Sequence, residues 1–438
     1  YLRFFERHPT WGSSCELQGH YLKFMQRHYP ADLALLRKLN QREQIELISV
    51  HYSDQIYLAY PRRDLQESIK INDAIFHDLG LTRSSVWFGQ ENFFGPGIAE
   101  RIMPNYGYRT ALLQGHFVWH HNHNALGKAP YWQFQNLDPA VVHYLNSSGQ
   151  SYDDGKIRIN QRFSYWGDAE LAFGATPYAA FLAKPLVQYQ KHYEKYRNLE
   201  KEGIKAVKVS DYIKRVEELK LKPAQGPHIT DASWNTRYYC GTYLWMGYYR
   251  LPWEKDADLR TLTFQTRANL LAIEQFVDWA KSKGVDQPEK IDAWLKIAWK
   301  HQLLAEVSDS TGQQPAPIEI RYTQAECEAC EHLLLQIENH IKSQLQLPER
   351  CIDTYNLDFA PEICEHEDIG KSRPLKSIQE WFPAKIFTLR FPEKSCHFRL
   401  FEANDEFGVD ERHFILNITR SEEHTYELQS PHTNSYSF

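Results

Sequence analysis

No apolar run in this chain approaches the roughly 20 residues that a helix needs to cross a bilayer, so a helical membrane span is excluded. Basic excess is missing as well. The 50 Lys and Arg against 56 Asp and Glu leave a formal net charge of -6, which gives no cationic stripe for nucleic acid. Cysteine is sparse and odd in number, with 7 scattered over 438 residues, which argues against a secreted disulfide framework and for a reducing, cytoplasmic setting. Cys327 and Cys330 form a C-x-x-C, but the pair lies on a helical pattern, and Cys351 and Cys364 have the wrong spacing to complete a zinc site. No cofactor is expected. An initiator Met and a signal peptide are absent too, because the chain opens at Tyr1 in what reads as the middle of a domain, so the expectation is a fragment whose leader is not on view.

What is plentiful is aromatic. Rings make up 14% of the chain, enough to expect exposed rings beside core ones, and sugar faces stack on exposed rings. Two aromatic-flanked acidic motifs sharpen that expectation. In Ser85-Val86-Trp87-Phe88-Gly89-Gln90-Glu91-Asn92-Phe93-Phe94 a short β-prone run delivers a carboxylate into an aromatic turn, and Ser164-Tyr165-Trp166-Gly167-Asp168-Ala169-Glu170 repeats the arrangement. A carboxylate pair is the usual equipment for cleaving a glycosidic bond.

Helical patterns such as Pro30–Leu39 alternate with strand patterns such as Gln44–Val50, Ser84–Gln90 and Arg109–Gly115, which predicts a parallel α/β sheet or barrel over residues 1–255. Residues just past strand C-termini face the site in such barrels, and both Glu91 and Tyr52–Asp54 stand there. Residues 116–160 read as a loop-rich insertion, and 184–222 as a charged, solvated helical excursion. Residues 256–350 carry apolar positions at three- and four-residue steps, the mark of a helical bundle. A partial β-domain is expected over 375–419, and 420–438 resembles a translated sequencing adapter with no selected fold.

Several matches in order resemble glycoside hydrolase family 57. They are Gln44-Ile45-Glu46-Leu47-Ile48, Trp87-Phe88-Gly89-Gln90-Glu91, Asp168-Ala169-Glu170 with Phe173-Gly174, Ala232-Ser233-Trp234, and Leu304-Ala305-Glu306-Val307-Ser308-Asp309. The resemblance implies a (β/α)7-type partial barrel without its first strand, followed by a helical bundle and a truncated C-terminal β-domain. It implies a retaining hydrolase or transglycosylase acting on an α-linked oligo- or polysaccharide, with Glu91 as nucleophile and Asp168 as general acid/base. Asp54 stands where many members carry a histidine after Tyr, which points away from the usual glucan specificity.

Around that pair, Trp234, Trp166, Trp119 and Trp87 are candidate sugar platforms, with Glu170, Asp54, Tyr52, His51 and His20 as further substrate contacts. Glu46 sits among apolar neighbours, where a buried carboxylate must be paired, so it and Gln90 are read as supporting groups. Two other classes stay open. A metal-dependent carbohydrate deacetylase would use histidines such as those of Trp119-His120-His121-Asn122-His123, although adjacent spacing suits one-face coordination poorly. A sugar-binding barrel without catalysis is the other.

Overall fold

The computed structural model describes residues 1–90, 93–113, 129–134, 143–146, 150–153, 158–161, 185–226, 254–311, 317–347, 385–391, 394–401 and 415–419. The chain divides into two compact units, Tyr1–Ser53 with Ile69–Gly241, and Asp54–Ser68 with Thr242–Phe438. Among the described residues no helix is long and apolar enough to cross a membrane.

The first unit opens with α1 (Leu2–Arg7) and β1 (Ser13–Glu16), then α2 (Gly19–His28) and α3 (Pro30–Gln41), which return the chain to β2 (Ile45–Ile48). Helix α3 starts at a proline, whose fixed φ suits the first turn, and buries Leu33, Leu36 and Leu39 along one face. β1 and β2 pair in parallel with Ser13 opposite Ile45, as a helical crossover requires. All four β2 residues are buried. Helix α4 (Arg62–Asp78) ends at Gly80, whose φ of 63° lets its amide reach the His77 carbonyl at 3.0 Å while Leu81 N–H reaches Phe76 at 2.9 Å. That double bond is the glycine-dependent stop that closes many helices.

Beyond it come β3 (Val86–Trp87), a π-helical turn at Ile98–Ile102 and β4 (Thr110–Leu113). The Leu47–Arg83 bridge and the 2.8 Å bond from Ser84 N–H to the Leu47 carbonyl set the approach to β3 parallel to β2. Within residues 116–160, expected to be loop, the described parts hold β5 (Trp132–Phe134), β6 (His143–Asn146), β7 (Gln150–Asp153) and β8 (Arg158–Gln161). Strands of three or four residues are too short to show a period. With β9 (Ala224–Gly226), a five-stranded sheet runs in the order β3-β4-β6-β5-β9.

The charged stretch after residue 184 forms α5 (Pro185–Lys201) and α6 (Val209–Glu218), and α6 is not a solvated excursion. Its Val209, Tyr212, Ile213 and Val216 pack on Ile48, Val86 and Leu112. Four apolar side chains at steps of three and four make one buried stripe, while Lys, Arg and Glu on the other face dominate the composition. Burying Val216 alone contributes about 2 kcal/mol.

The second unit holds α7 (Glu254–Ser282), α8 (Pro288–Ala305), the short α9 (Ser308–Thr311) and α10 (Pro317–Leu345), packed on one another as the three- and four-residue apolar steps predict. Cys327 and Cys330 are both buried on α10 as free thiols. The segment 54–68 belongs with these helices rather than with the strands that flank it in sequence. The β-strands β10 (Lys385–Phe391), β11 (Lys394–Phe401) and β12 (Ile415–Thr419) form an antiparallel sheet in chain order.

Candidate active site

The C-terminal ends of β2 and β3 carry the described part of the expected site. His51 follows β2 by three residues and Gln90 follows β3 by three, and the Gln90 N–H donates to His51 Nε2 at 3.1 Å. An accepting Nε2 places the imidazole proton on Nδ1, the tautomer assigned from this geometry. The ring is 0% exposed, and burial pushes its pKa down from 6.5 to about 4, opposed in part by a backbone hydrogen bond to Ser53. A neutral, buried histidine therefore touches the residue that precedes Glu91.

Trp87 is also fully buried, edge-on to Tyr108 with ring centroids 5.1 Å apart, so its faces are taken up by the core. Tyr108 in turn donates from Oη to the Ser49 carbonyl at 2.8 Å and carries Arg83 over its ring at 4.2 Å. Tyr52 is buried, while His20 is exposed. The two lie together, with Nδ1 of His20 3.4 Å from the Tyr52 hydroxyl and rings crossed at 88°. His20 also donates its backbone N–H to the Tyr52 carbonyl at 2.8 Å, tying the start of α2 to the end of β2.

Glu46 faces α6. It accepts from Ser14 Oγ at 2.6 Å, from Ser84 Oγ at 2.7 Å and from the Ser210 N–H at 3.3 Å, while Ser14 Oγ accepts from the Val209 N–H at 3.0 Å. The carboxylate and the serine thus satisfy two of the N–H groups that every helix start leaves open, and negative charge is favoured at that end. Two strands, the approach to β3 and a helix are tied at one side chain.

In the second unit, Asp54 accepts the Ser308 N–H at 2.8 Å through its backbone carbonyl. Nearby stands a polar cluster that the sequence did not single out. Asp64 pairs with Arg267 at 2.5 Å, and Glu306 accepts from Gln55 Nε2 at 2.5 Å and from Gln302 Nε2 at 2.8 Å. Burial and the Asp64 carboxylate hold the Glu306 pKa well above the usual carboxyl range. Only Glu306 had motif support. Asp64 and Arg267 are 203 positions apart, and no spacing rule links residues so distant. None of the five is more than 3% exposed, which makes the cluster part of the buried core of its unit.

Glu91, Asp168, Glu170, Trp119, Trp166 and Trp234, with the histidines of 120–123, lie outside the described residues. Among the described residues no group of three or more His, Cys, Asp and Glu is arranged to hold a metal ion.

No family model matches the sequence, and no curated protein matches it. Solved structures do. A 4-α-glucanotransferase from Thermococcus litoralis superposes with a TM-score of 0.50 at 13% identity, over 91% of this chain and 59% of its own. An exo-type maltose-forming amylase from Pyrococcus sp. ST04 gives 0.54 at 12%, over 87% of this chain and 78% of its own. A GH57-type branching enzyme from Pyrococcus horikoshii gives 0.46 at 11%, over 73% of each chain. The chain thus spans about three fifths of the length of the glucanotransferase. At such identities the likeness concerns the path of the backbone alone, and the fold is the one shared with the glucanotransferase and the maltose-forming amylase.

Proposed function

We propose that the chain comes from a retaining glycoside hydrolase or transglycosylase that acts on an α-linked oligo- or polysaccharide. The observation that carries the proposal is the contact between the segments that follow β2 and β3, made by His51 and by Gln90, the residue that precedes Glu91 in sequence, since barrel enzymes keep their chemistry just past strand C-terminal ends. Support comes from the likeness in fold to a glucanotransferase and a maltose-forming amylase.

In the proposed (β/α)7-type barrel, Glu91 attacks the anomeric carbon and Asp168 protonates the departing glycosidic oxygen. Water or a second glycan, activated by Asp168 as base, then releases the glycosyl group from Glu91. Retention requires the two carboxyls about 5–5.5 Å apart. Asp168 must hold its proton near neutral pH, and the neighbouring Glu170 favours that by making a second negative charge costly. Trp234, Trp166 and Trp119 are proposed sugar platforms, and Glu170 a proposed hydroxyl contact.

The test is turnover over a panel of α-linked oligosaccharides, in which maltoheptaose stands for the glucans and serves as probe where it is turned over, with the anomeric form of the first product read by NMR. Wild type should give the α-anomer and Glu91→Gln, which removes charge but keeps volume, should give no turnover while retaining the fold. A β-anomeric first product would replace retention by inversion. Full activity in Glu91→Gln would end the nucleophile assignment.

A further inference from the structure

His51 is well placed for a task that substrate contact does not describe. Its ring is wholly buried. Its Nε2 is instead an acceptor for the backbone N–H of Gln90, one residue before Glu91. An amide leaving a strand end has no sheet carbonyl of its own to bond, and buried amides must find an acceptor. His51 supplies one from the neighbouring parallel segment.

The segment that presents His51 is itself fastened. Ser49, two residues earlier, has its carbonyl held by the Tyr108 hydroxyl at 2.8 Å and its Oγ held by Asn72 Nδ2 at 2.9 Å. Ser49, Val50 and His51 are all fully buried. The imidazole therefore stands on a base that α4 and the residues before β4 keep fixed. It also stays neutral, since burial disfavours the imidazolium. A protonated Nε2 would point an N–H at the Gln90 N–H and break the contact.

We infer that His51 is a positioning residue, which fixes the Gln90 amide and through it the main-chain entry to Glu91. The inference rests on the proposed nucleophilic role of Glu91. Its consequence is kinetic, because a misplacement of about 1 Å at a reacting group costs on the order of 10²-fold in rate. Glycan binding itself draws on other groups and should change little.

Two variants and one spectrum test it on the intact chain. His51→Leu removes the acceptor, whereas His51→Gln offers a side-chain oxygen at similar reach. With maltoheptaose as probe, kcat of His51→Leu should fall about 10²-fold with KM nearly unchanged, and His51→Gln should recover on the order of tenfold of that loss. Equal losses in the two variants would leave only a structural role and overturn the inference. So would wild-type kcat in His51→Leu while Glu91→Gln is dead. Full activity in Glu91→Gln would instead remove the underlying reading, and this inference with it. Should His51→Leu fail to fold, histidine-selective 15N spectra of the wild type decide: Nε2 of His51 must be unprotonated at neutral pH, and a protonated Nε2 overturns the assignment.

Discussion

Arg267 Nε stands 2.5 Å from Asp64 Oδ2, with 3% of one side chain and 0% of the other exposed. A charge pair so deep is stabilising only while complete, because either partner alone is a buried ion without its counter-charge. Arg267→Met should therefore lower the unfolding free energy by about 3–5 kcal/mol, measured by denaturant titration. Adding Asp64→Asn should return part of that loss. Strict additivity of the two changes would show that the side chains do not act as a pair.

Glu306 gives that cluster a pH dependence. Because burial and Asp64 keep it protonated, the folded chain holds a proton that the unfolded chain releases above its ordinary value of 4.5. Its contribution is complete below 4.5 and is lost as pH rises toward the elevated folded value. Glu306→Gln keeps the volume and a neutral group that accepts from Gln55 or Gln302. The variant should equal wild type in acid and exceed it in melting temperature at neutral pH. An equal decline with pH in both proteins would contradict this account.

His51 should act with the opposite slope. Its folded pKa of about 4 lies below 6.5, so the unfolded chain binds the extra proton, and stability falls as pH drops from 6.5 toward 4. The full effect is on the order of 3 kcal/mol, at 1.36 kcal/mol per unit. A comparison of wild type with His51→Gln across that window isolates the imidazole from the carboxyls that titrate nearby in pH. Parallel stability curves would show that the ring is solvated enough to titrate normally.

The strands β2 and β4 are legible in the sequence because each is a short, mostly apolar run, broken in β2 only by Glu46 and opened in β4 by Thr110, and α3 because Leu33, Leu36 and Leu39 recur at three-residue steps. Composition misleads at α6, where abundant charge hides four buried apolar residues, since burial follows the face and not the average. Nor does sequence show that 54–68 folds with the helices. The bond from Gln55 to Glu306 spans 251 positions, and such contacts become visible only when the chain is folded. Of the candidate site, the placement of His51 past the end of β2 follows from the strand pattern, whereas Gln90, inside the expected strand Ser84–Gln90, lies three residues beyond the observed end of β3. That the histidine would turn its nitrogen to a backbone amide rather than to a ligand does not, because both uses need the same residue at the same place.

Asp168 yields the prediction that separates its role from that of Glu170. A general acid matters in proportion to how poorly the departing group leaves, and its removal typically costs about 10²–10⁴-fold. Asp168→Asn should lose activity on that scale with maltoheptaose, whose departing sugar alcohol must be protonated as the bond breaks. With 4-nitrophenyl α-maltoside the departing phenolate is stable unprotonated, so formation of the glycosyl-enzyme should proceed near the wild-type rate. The intermediate should then accumulate, because the same residue is needed as base to activate water, and a burst of nitrophenol followed by slow turnover is the expected trace. Equal loss on both substrates, without a burst, would take the acid/base role from Asp168 and make Glu170 the next residue to replace.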